Sequence, residues 1–134
     1  MAATSAAAGG LANNGESWEF EYAGTFGGNG NNKILRLWYG GATPTSGTKC
    51  FDSGTLTNNG DSWRLVGRVI RVGASSQIIE GTFSTTSGTG NATFYVTSSR
   101  TLTSTNNIEL TGNAPTAAAD ITLTFSRVAF AKAG

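Results

Sequence analysis

Residues 63–85 read WRLVGRVIRVGASSQIIEGTFST and carry the clearest β pattern of the chain. Trp63 to Val72 and Gln77 to Thr85 are two long runs rich in β-branched and apolar residues. Between them lies Gly73 to Ser76, a glycine- and serine-containing segment of the kind that reverses a chain. Two such runs around a short turn predict an antiparallel β-hairpin.

The chain before this hairpin continues the same pattern. The segment WEFEY at 18–22 alternates aromatic and acidic residues, and a period of two predicts a strand from about Glu16 to Phe26. GGNGNN at 27–32 is a turn, since Gly and Asn adopt positive φ at little cost. Lys33 to Tyr39 is apolar on both faces apart from Arg36, which favours a central strand.

Shorter runs complete the pattern and give about eight strands in all. We expect the remaining strands at Lys49–Thr55, Thr93–Thr97, Ile108–Gly112 and Ile121–Phe130. The sequence therefore predicts an all-β, antiparallel β-sandwich of jelly-roll type. The strand count does not separate a jelly roll from an immunoglobulin-like sandwich, although the cysteine pair typical of the latter is missing. We expect one domain over 11–134 and a flexible N-terminal arm over Met1–Gly10, which a partner would order in the alternative interpretation.

Composition narrows the possible functions. Nine Lys and Arg against eight Asp and Glu give a net charge of +1, which argues against nucleic-acid binding and against polybasic attachment to membranes. No apolar run is long enough to span a bilayer, and the start of the chain does not resemble a signal peptide. The chain has no His, the commonest general base and metal ligand, and Cys50 is its one cysteine. We expect no enzyme activity, no cofactor and no metal.

Two segments of the chain echo each other. Leu11 to Trp18 reads LANNGESW, and Leu56 to Trp63 reads LTNNGDSW. In each, Asn-Gly supplies a turn, an acid can cap it, and a Trp opens a long strand. The simpler interpretation is that two loops adopt the same turn. The alternative is that the two loops lie side by side and form a paired contact surface.

The stretch from Leu11 to about Thr85 resembles a domain that recurs in bacteriophage structural proteins. The resemblance rests on the LANNGE turn, the strand ending in Gly-Thr-Phe, the Leu-Arg-Leu strand, Asp-Ser-Gly, and the Trp-Arg-Leu strand ending in Arg-Val-Gly-Ala. It implies a jelly roll that forms homotrimers at the ends of tail fibres or on capsid surfaces. It carries over no active site, because these motifs are turns and core positions. A long fibrous stem is missing, which favours a capsid decoration, or cement, protein.

Candidate contact residues follow from the strand pattern and from the turns. Trp38 and Tyr39 are adjacent, so one of them should lie outside the local core. Arg64, Val66, Arg68 and Ile70 share the strand face opposite Trp63, Leu65 and Val69, and an apolar second face suggests cover by another subunit. We therefore expect Trp38, Tyr39, Arg64, Val66, Arg68 and Ile70 at an oligomer interface. The candidate loop contacts are Asn29, Asn31, Asn58 and Asn59.

Three hypotheses remain open at this point. The first is a virion structural protein, a homotrimer that binds the major capsid protein of the assembled shell and stabilises it. The second is a tail-fibre or receptor-binding module whose loops recognise a glycan or protein on the host surface. The third is a small glycan hydrolase, which we disfavour because Glu19 and Glu21 are better interpreted as solvent-facing or paired with Arg64 and Arg68.

Overall fold

The computed structural model describes residues 4–7, 11–41, 46–103 and 106–133. A single turn of 3-10 helix, Ala118–Asp120, is the one helical element among the described residues. The strands are β1 (Thr4–Ala7), β2 (Ser17–Phe26), β3 (Ile34–Tyr39), β4 (Thr48–Asp52), β5 (Ser62–Gly73), β6 (Ser76–Thr85), β7 (Ala92–Ser98), β8 (Asn107–Asn113) and β9 (Ile121–Ala131).

The strands form two antiparallel sheets, which confirms the predicted all-β sandwich. A four-stranded sheet has the order β1-β8-β3-β4, and a five-stranded sheet has the order β7-β6-β5-β2-β9. The predicted hairpin is present as β5 and β6, and β3 is central as expected, between β8 and β4. The chain changes sheet between β1 and β2, β2 and β3, β4 and β5, β7 and β8, and β8 and β9. This order leaves β7 and β9 at the two edges of the five-stranded sheet.

The core lies between the sheets and follows the predicted period of two. Seven strands, β2 to β6, β8 and β9, contribute buried apolar side chains to this core, because each sheet presents one apolar face to the other. The most deeply buried members of this core include Tyr22, Leu35, Leu37, Leu65, Ile79, Phe83 and Leu110.

Two glycines without side chains lie opposite each other at the centre of the five-stranded sheet. Gly67 on β5 is directly opposite Gly81 on β6. A Cβ on Gly67 would lie 2.7 Å from the Phe20 ring, and one on Gly81 would lie 2.6 Å from the Phe94 ring. The two rings thus occupy the space that side chains would need, and they meet edge to face with centroids 6.5 Å apart. Glycine is required here by close approach.

The two echoed turns have the same structure. Gly15 and Gly60 both have positive φ, +89° and +73°, a region that L side chains rarely adopt. Asn13 Nδ2 donates to Glu16 Oε1 at 2.5 Å, and Asn58 Nδ2 donates to Asp61 Oδ2 at 2.8 Å. The side chain of the acid therefore accepts from an asparagine three residues earlier, which fixes both turns locally.

These two turns lie at opposite ends of the sandwich. The antiparallel register places Ser17 opposite Ile70 and Thr25 opposite Ser62. The first turn is consequently held by Arg71, whose N–H donates to Glu16 O at 2.9 Å, and the second by Phe26, whose N–H donates to Asp61 O at 2.8 Å. The hypothesis of one paired contact surface is therefore wrong, because the antiparallel pairing of β2 with β5 places the two similar turns at opposite ends of these strands.

The N-terminal segment contributes a strand that the sequence pattern did not predict. Thr4–Ala7 forms β1 and pairs with β8, from Thr4 opposite Leu110 to Ala7 opposite Asn107. The rest of the expected arm, 1–3 and 8–10, lies outside the described residues, as do 42–45 of the loop after β3. The assignment of Met1–Gly10 to a separate arm remains a prediction.

Candidate functional site on the outer face of the five-stranded sheet

The outer face of the five-stranded sheet gathers charged and apolar side chains in cross-strand rows. One row runs Ala129, Glu19, Arg68, Glu80 and Tyr95 across all five strands. The next row runs Arg127, Glu21, Val66, Thr82 and Thr93. Neighbouring strands lie about 4.8 Å apart, so residues in a row are direct neighbours.

A shallow depression of about 730 Å³ occupies the middle of this face. Its floor includes the backbone of Gly67 and Gly81, where neither strand has a side chain. The walls include three arginines, three glutamates and one exposed tyrosine, namely Arg64, Arg68, Arg127, Glu19, Glu21, Glu80 and Tyr95. Its charged side chains sum to zero, so the depression does not select strongly for an anion or a cation.

Four of these charges form two ion pairs. Arg64 Nε lies 2.5 Å from Glu21 Oε2, and Arg68 Nη2 lies 2.9 Å from Glu80 Oε1. The arginine side chains are 55% and 52% exposed, so each pair contributes at most about 1 kcal/mol to stability. Pairing of Glu21 with an arginine across strands agrees with the prediction. Glu19 and Arg127 belong to no ion pair among the described residues.

Apolar groups lie between these charges. Tyr95 is 64% exposed and is the most exposed large apolar side chain of the described residues. Val66 and Ile70 are partly exposed on the same face. Tyrosine and arginine are enriched in protein–protein contacts and glutamate is depleted there, so this face carries both favourable and unfavourable residue types for such a contact.

The structure brings together four of the six predicted interface residues. Arg64, Val66, Arg68 and Ile70 all lie on this outer face, and their inward neighbours Trp63, Leu65 and Val69 are buried, as predicted.

The other two predicted interface residues lie elsewhere. Trp38 is partly exposed on the outer face of the four-stranded sheet, where its Nε1 donates to Thr111 Oγ1 at 3.1 Å. Tyr39 lies in the core with 1% exposure, and burial raises its pKa to about 12. One residue of the pair is therefore outside the core, as predicted. Tyr39 itself is not available to a partner, because alternation along β3 turns it inward.

Two of the predicted loop contacts are engaged inside the protein. Asn29 Nδ2 donates to Asp120 Oδ1 at 2.6 Å, and Asn31 Nδ2 donates to Asp120 Oδ2 at 2.9 Å. These two hydrogen bonds hold the pKa of Asp120 below its usual range. The loop also surrounds the fully buried Lys33, whose Nζ donates to Asn29 O and Asn31 O, both at 2.9 Å. The asparagines thus build the loop around a buried cation.

The other two loop contacts behave differently from each other. Asn58 is buried, and its Nδ2 donates to Asp61 Oδ2 and to Thr89 O. Asn59 is exposed at the tip of the turn. The adjoining loops are joined by the N–H of Gly60, which donates to Gly27 O at 3.0 Å. All four predicted loop residues therefore lie at one end of the sandwich, but only Asn59 points into solvent.

Sequence reasoning missed three residues of this face, namely Glu80, Tyr95 and Arg127. Alternation along β6, β7 and β9 assigns each of them to an outward position, so a signal existed. What the local pattern lacks is the strand order, which places these three strands in the same sheet as β2 and β5.

The described residues contain no group of three potential metal ligands among His, Cys, Asp and Glu. Cys50 is buried, and burial raises its pKa to about 12, which leaves little thiolate at neutral pH. In the part of the chain that the structure covers, helical membrane spans are not found.

Comparison with known proteins gave no match to a family model, to a curated protein or to a solved structure.

Proposed function

We propose that this protein is a structural subunit of a bacteriophage particle, a homotrimer that decorates the capsid. In this proposal it binds the major capsid protein of the assembled shell and resides in the virion. The observation that carries the proposal is the outer face of the five-stranded sheet, a neutral surface with an exposed tyrosine and a wide depression. Such a face suits burial against another protein, since no strong like-charge field opposes the approach.

The residues that carry the phage resemblance support this proposal through their structural roles. Leu11 and Leu56 are buried, Gly15 and Gly60 have the positive φ of the turns, and Trp63 lies in the core. The shared motif therefore encodes a scaffold. A scaffold with a broad neutral face is what a subunit of an assembly needs.

Decoration would stabilise a shell by mass action. A subunit that binds the assembled shell and not its separated proteins lowers the free energy of the assembled state by about 2.7 kcal/mol per site at a hundred times its Kd. Many sites per shell make the combined effect large without any chemical step. The mechanism requires no cofactor.

The experiment compares the thermal disruption of particles with and without this protein. Particles stripped of the protein should lose their shells at a lower temperature, and adding the purified protein should restore the original value. A variant in which Arg64 and Arg68 are replaced by Glu should fail to restore it, whereas Lys49→Glu, on the opposite sheet, should succeed. Equal disruption temperatures for stripped and complete particles would overturn the proposal.

A recognition function is the second candidate, and the loop end of the sandwich favours it. Hydrogen bonds from Asn29, Asn31 and Asn58 hold three neighbouring segments in fixed positions, and preorganised loops lose little entropy on binding. Specific binding of the isolated protein to host cells, abolished by substitutions at Asn59, would support recognition of a glycan or protein receptor over decoration.

A further inference from the structure

The chain contains three asparagine–glycine pairs, at Asn14-Gly15, Asn29-Gly30 and Asn59-Gly60. An asparagine before a glycine is prone to spontaneous deamidation, because glycine has no side chain to shield its backbone nitrogen from the asparagine amide. The reaction requires that nitrogen to reach Cγ of the asparagine. The three pairs share the same intrinsic chemistry, so the hydrogen bonds of the fold decide which of them reacts.

The first pair is held at both of its reacting groups. Asn14 Oδ1 accepts a hydrogen bond from Arg71 Nε at 3.2 Å. The N–H of Gly15 donates to Arg71 O at 2.8 Å. The amide of Asn14 can therefore approach the Gly15 nitrogen only after both bonds to Arg71 have broken.

The second pair is held through its side-chain amide. Asn29 Nδ2 donates to Asp120 Oδ1 at 2.6 Å, and Asn29 Oδ1 accepts from the Asn31 N–H at 2.9 Å and from Lys33 Nζ at 3.3 Å. Two of these partners are charged. A hydrogen bond to a charged group that must break before a reaction slows it by about tenfold or more. The amide of Asn29 is thus fixed away from Gly30.

The third pair has no such restraint on its side chain. Asn59 is exposed at the tip of its turn, and its amide has no hydrogen-bond partner in the part of the chain that the structure describes. One hydrogen bond does hold the nucleophile, since the N–H of Gly60 donates to Gly27 O at 3.0 Å. That bond joins two uncharged backbone groups between surface loops, where local opening requires the least free energy.

We propose that Asn59 is a site of spontaneous deamidation and that the fold protects Asn14 and Asn29. The backbone nitrogen of Gly60 forms a bond to Cγ of Asn59, and the bond from Cγ to Nδ2 breaks. Ammonia leaves and takes up the proton of the Gly60 N–H. Water then opens the cyclic imide and leaves either aspartate or isoaspartate at position 59.

The product changes the loop end of the sandwich in two ways. A new carboxylate appears at the end that already carries Asp61 and Asp120. Isoaspartate also lengthens the backbone before Gly60 and so disturbs the hydrogen bond to Gly27 O that joins the two loops. Because Asn59 is the predicted loop contact that points into solvent, the surface available for recognition differs between fresh and aged protein.

Mass spectrometry of the aged chain tests the proposal at all three pairs in one sample. The purified protein is kept at mildly alkaline pH, digested with trypsin and compared with a sample taken at the start. The fragment Cys50–Arg64 contains Asn59, and the fragment Met1–Lys33 contains Asn14 and Asn29. In the native chain the conversion of amide to acid should be about tenfold faster at Asn59 than at the other two sites.

Denatured protein and two variants provide the controls. In concentrated urea the three sites should convert at similar rates, because the restraints are gone. Asn59→Gln should remove the fast reaction, since the longer side chain does not close the same ring. Asp120→Ala should accelerate conversion at Asn29 and leave Asn14 unchanged, which also reports that the variant is folded. Conversion in the native wild type at Asn14 or Asn29 as fast as at Asn59 would overturn the proposal.

Discussion

Lys33 provides the most informative test of how the loop end is built. Its side chain has 0% exposure, and Nζ donates to Asn29 O and Asn31 O at 2.9 Å and to Asn29 Oδ1 at 3.3 Å. Replacing Lys33 by Met keeps the length of the side chain and removes the charge. The acceptors of the loop then lose their donor in a site that water does not reach.

The size of the effect follows from these contacts. A hydrogen bond to a charged group contributes about 1.5–3 kcal/mol, so the two short bonds together bring about 3–6 kcal/mol. Methionine also avoids the cost of desolvating an ammonium, which favours the lower end of that range. We expect Lys33→Met to lower the free energy of unfolding by about 3 kcal/mol, a large part of the 5–15 kcal/mol typical of a domain.

Urea unfolding followed by tryptophan fluorescence and far-ultraviolet circular dichroism measures this change. With a slope of about 2 kcal/mol per molar urea, the midpoint should fall by about 1.5 M. The control is Lys49→Met, whose side chain is 48% exposed and pairs with Asp52 at 3.1 Å. That variant should lose less than about 1 kcal/mol. Equal midpoints for the two variants would refute the role assigned to the buried ammonium.

Three further predictions address the sheet, the ion pairs and the thiol. Gly67→Ala should destabilise the protein by about 1–3 kcal/mol in the same urea assay, because the new Cβ would lie 2.2 Å from Glu80 O and 2.7 Å from the Phe20 ring; an unchanged midpoint would show that these contacts do not exclude a Cβ. Partial burial of Asp52 disfavours its charge, but hydrogen bonds from Arg36, Gly54 and Lys49 outweigh this and lower its pKa to about 2. Because folding depresses that pKa, the contribution of the Asp52 carboxylate to the free energy of unfolding should be complete above about pH 4 and be lost as the pH falls toward about 2. The free energy of unfolding of Asp52→Asn should fall less over the same pH range. Cys50 should react with a thiol reagent only after denaturation, and fast reaction in the native protein would contradict its burial.

The sequence predicted the elements of this fold better than their arrangement. Alternation put the aromatic residues of 18–22 on one strand face and Leu65 opposite Arg64, and Phe20, Tyr22 and Leu65 are buried. Alternation also made Phe125 compatible with the core, but Phe125 is 47% exposed. The predictions for β2 and β5 succeed because the period of a strand is a local property of the chain. The strand order is not local, and without it the two echoed turns could be imagined side by side when they lie at opposite ends.

In the candidate site, too, the sequence predicted the local features and missed those that depend on strand order. Outward positions on β5 were predicted correctly, because they alternate with obvious core residues. Lys33 was not singled out, since a lysine at the start of a strand ordinarily faces water. Its burial depends on Asn29, Asn31 and the distant Asp120, which the fold brings to the same loop. Asp120 is 91 residues from Asn29 along the chain, a separation that no local pattern spans.

Self-association of the whole chain is the claim on which the functional account depends. Sedimentation equilibrium at several loading concentrations measures it without assumptions about shape. We predict a species of three times the chain mass of 13.7 kDa that dissociates on dilution. A constant mass of 13.7 kDa at every concentration would contradict the account.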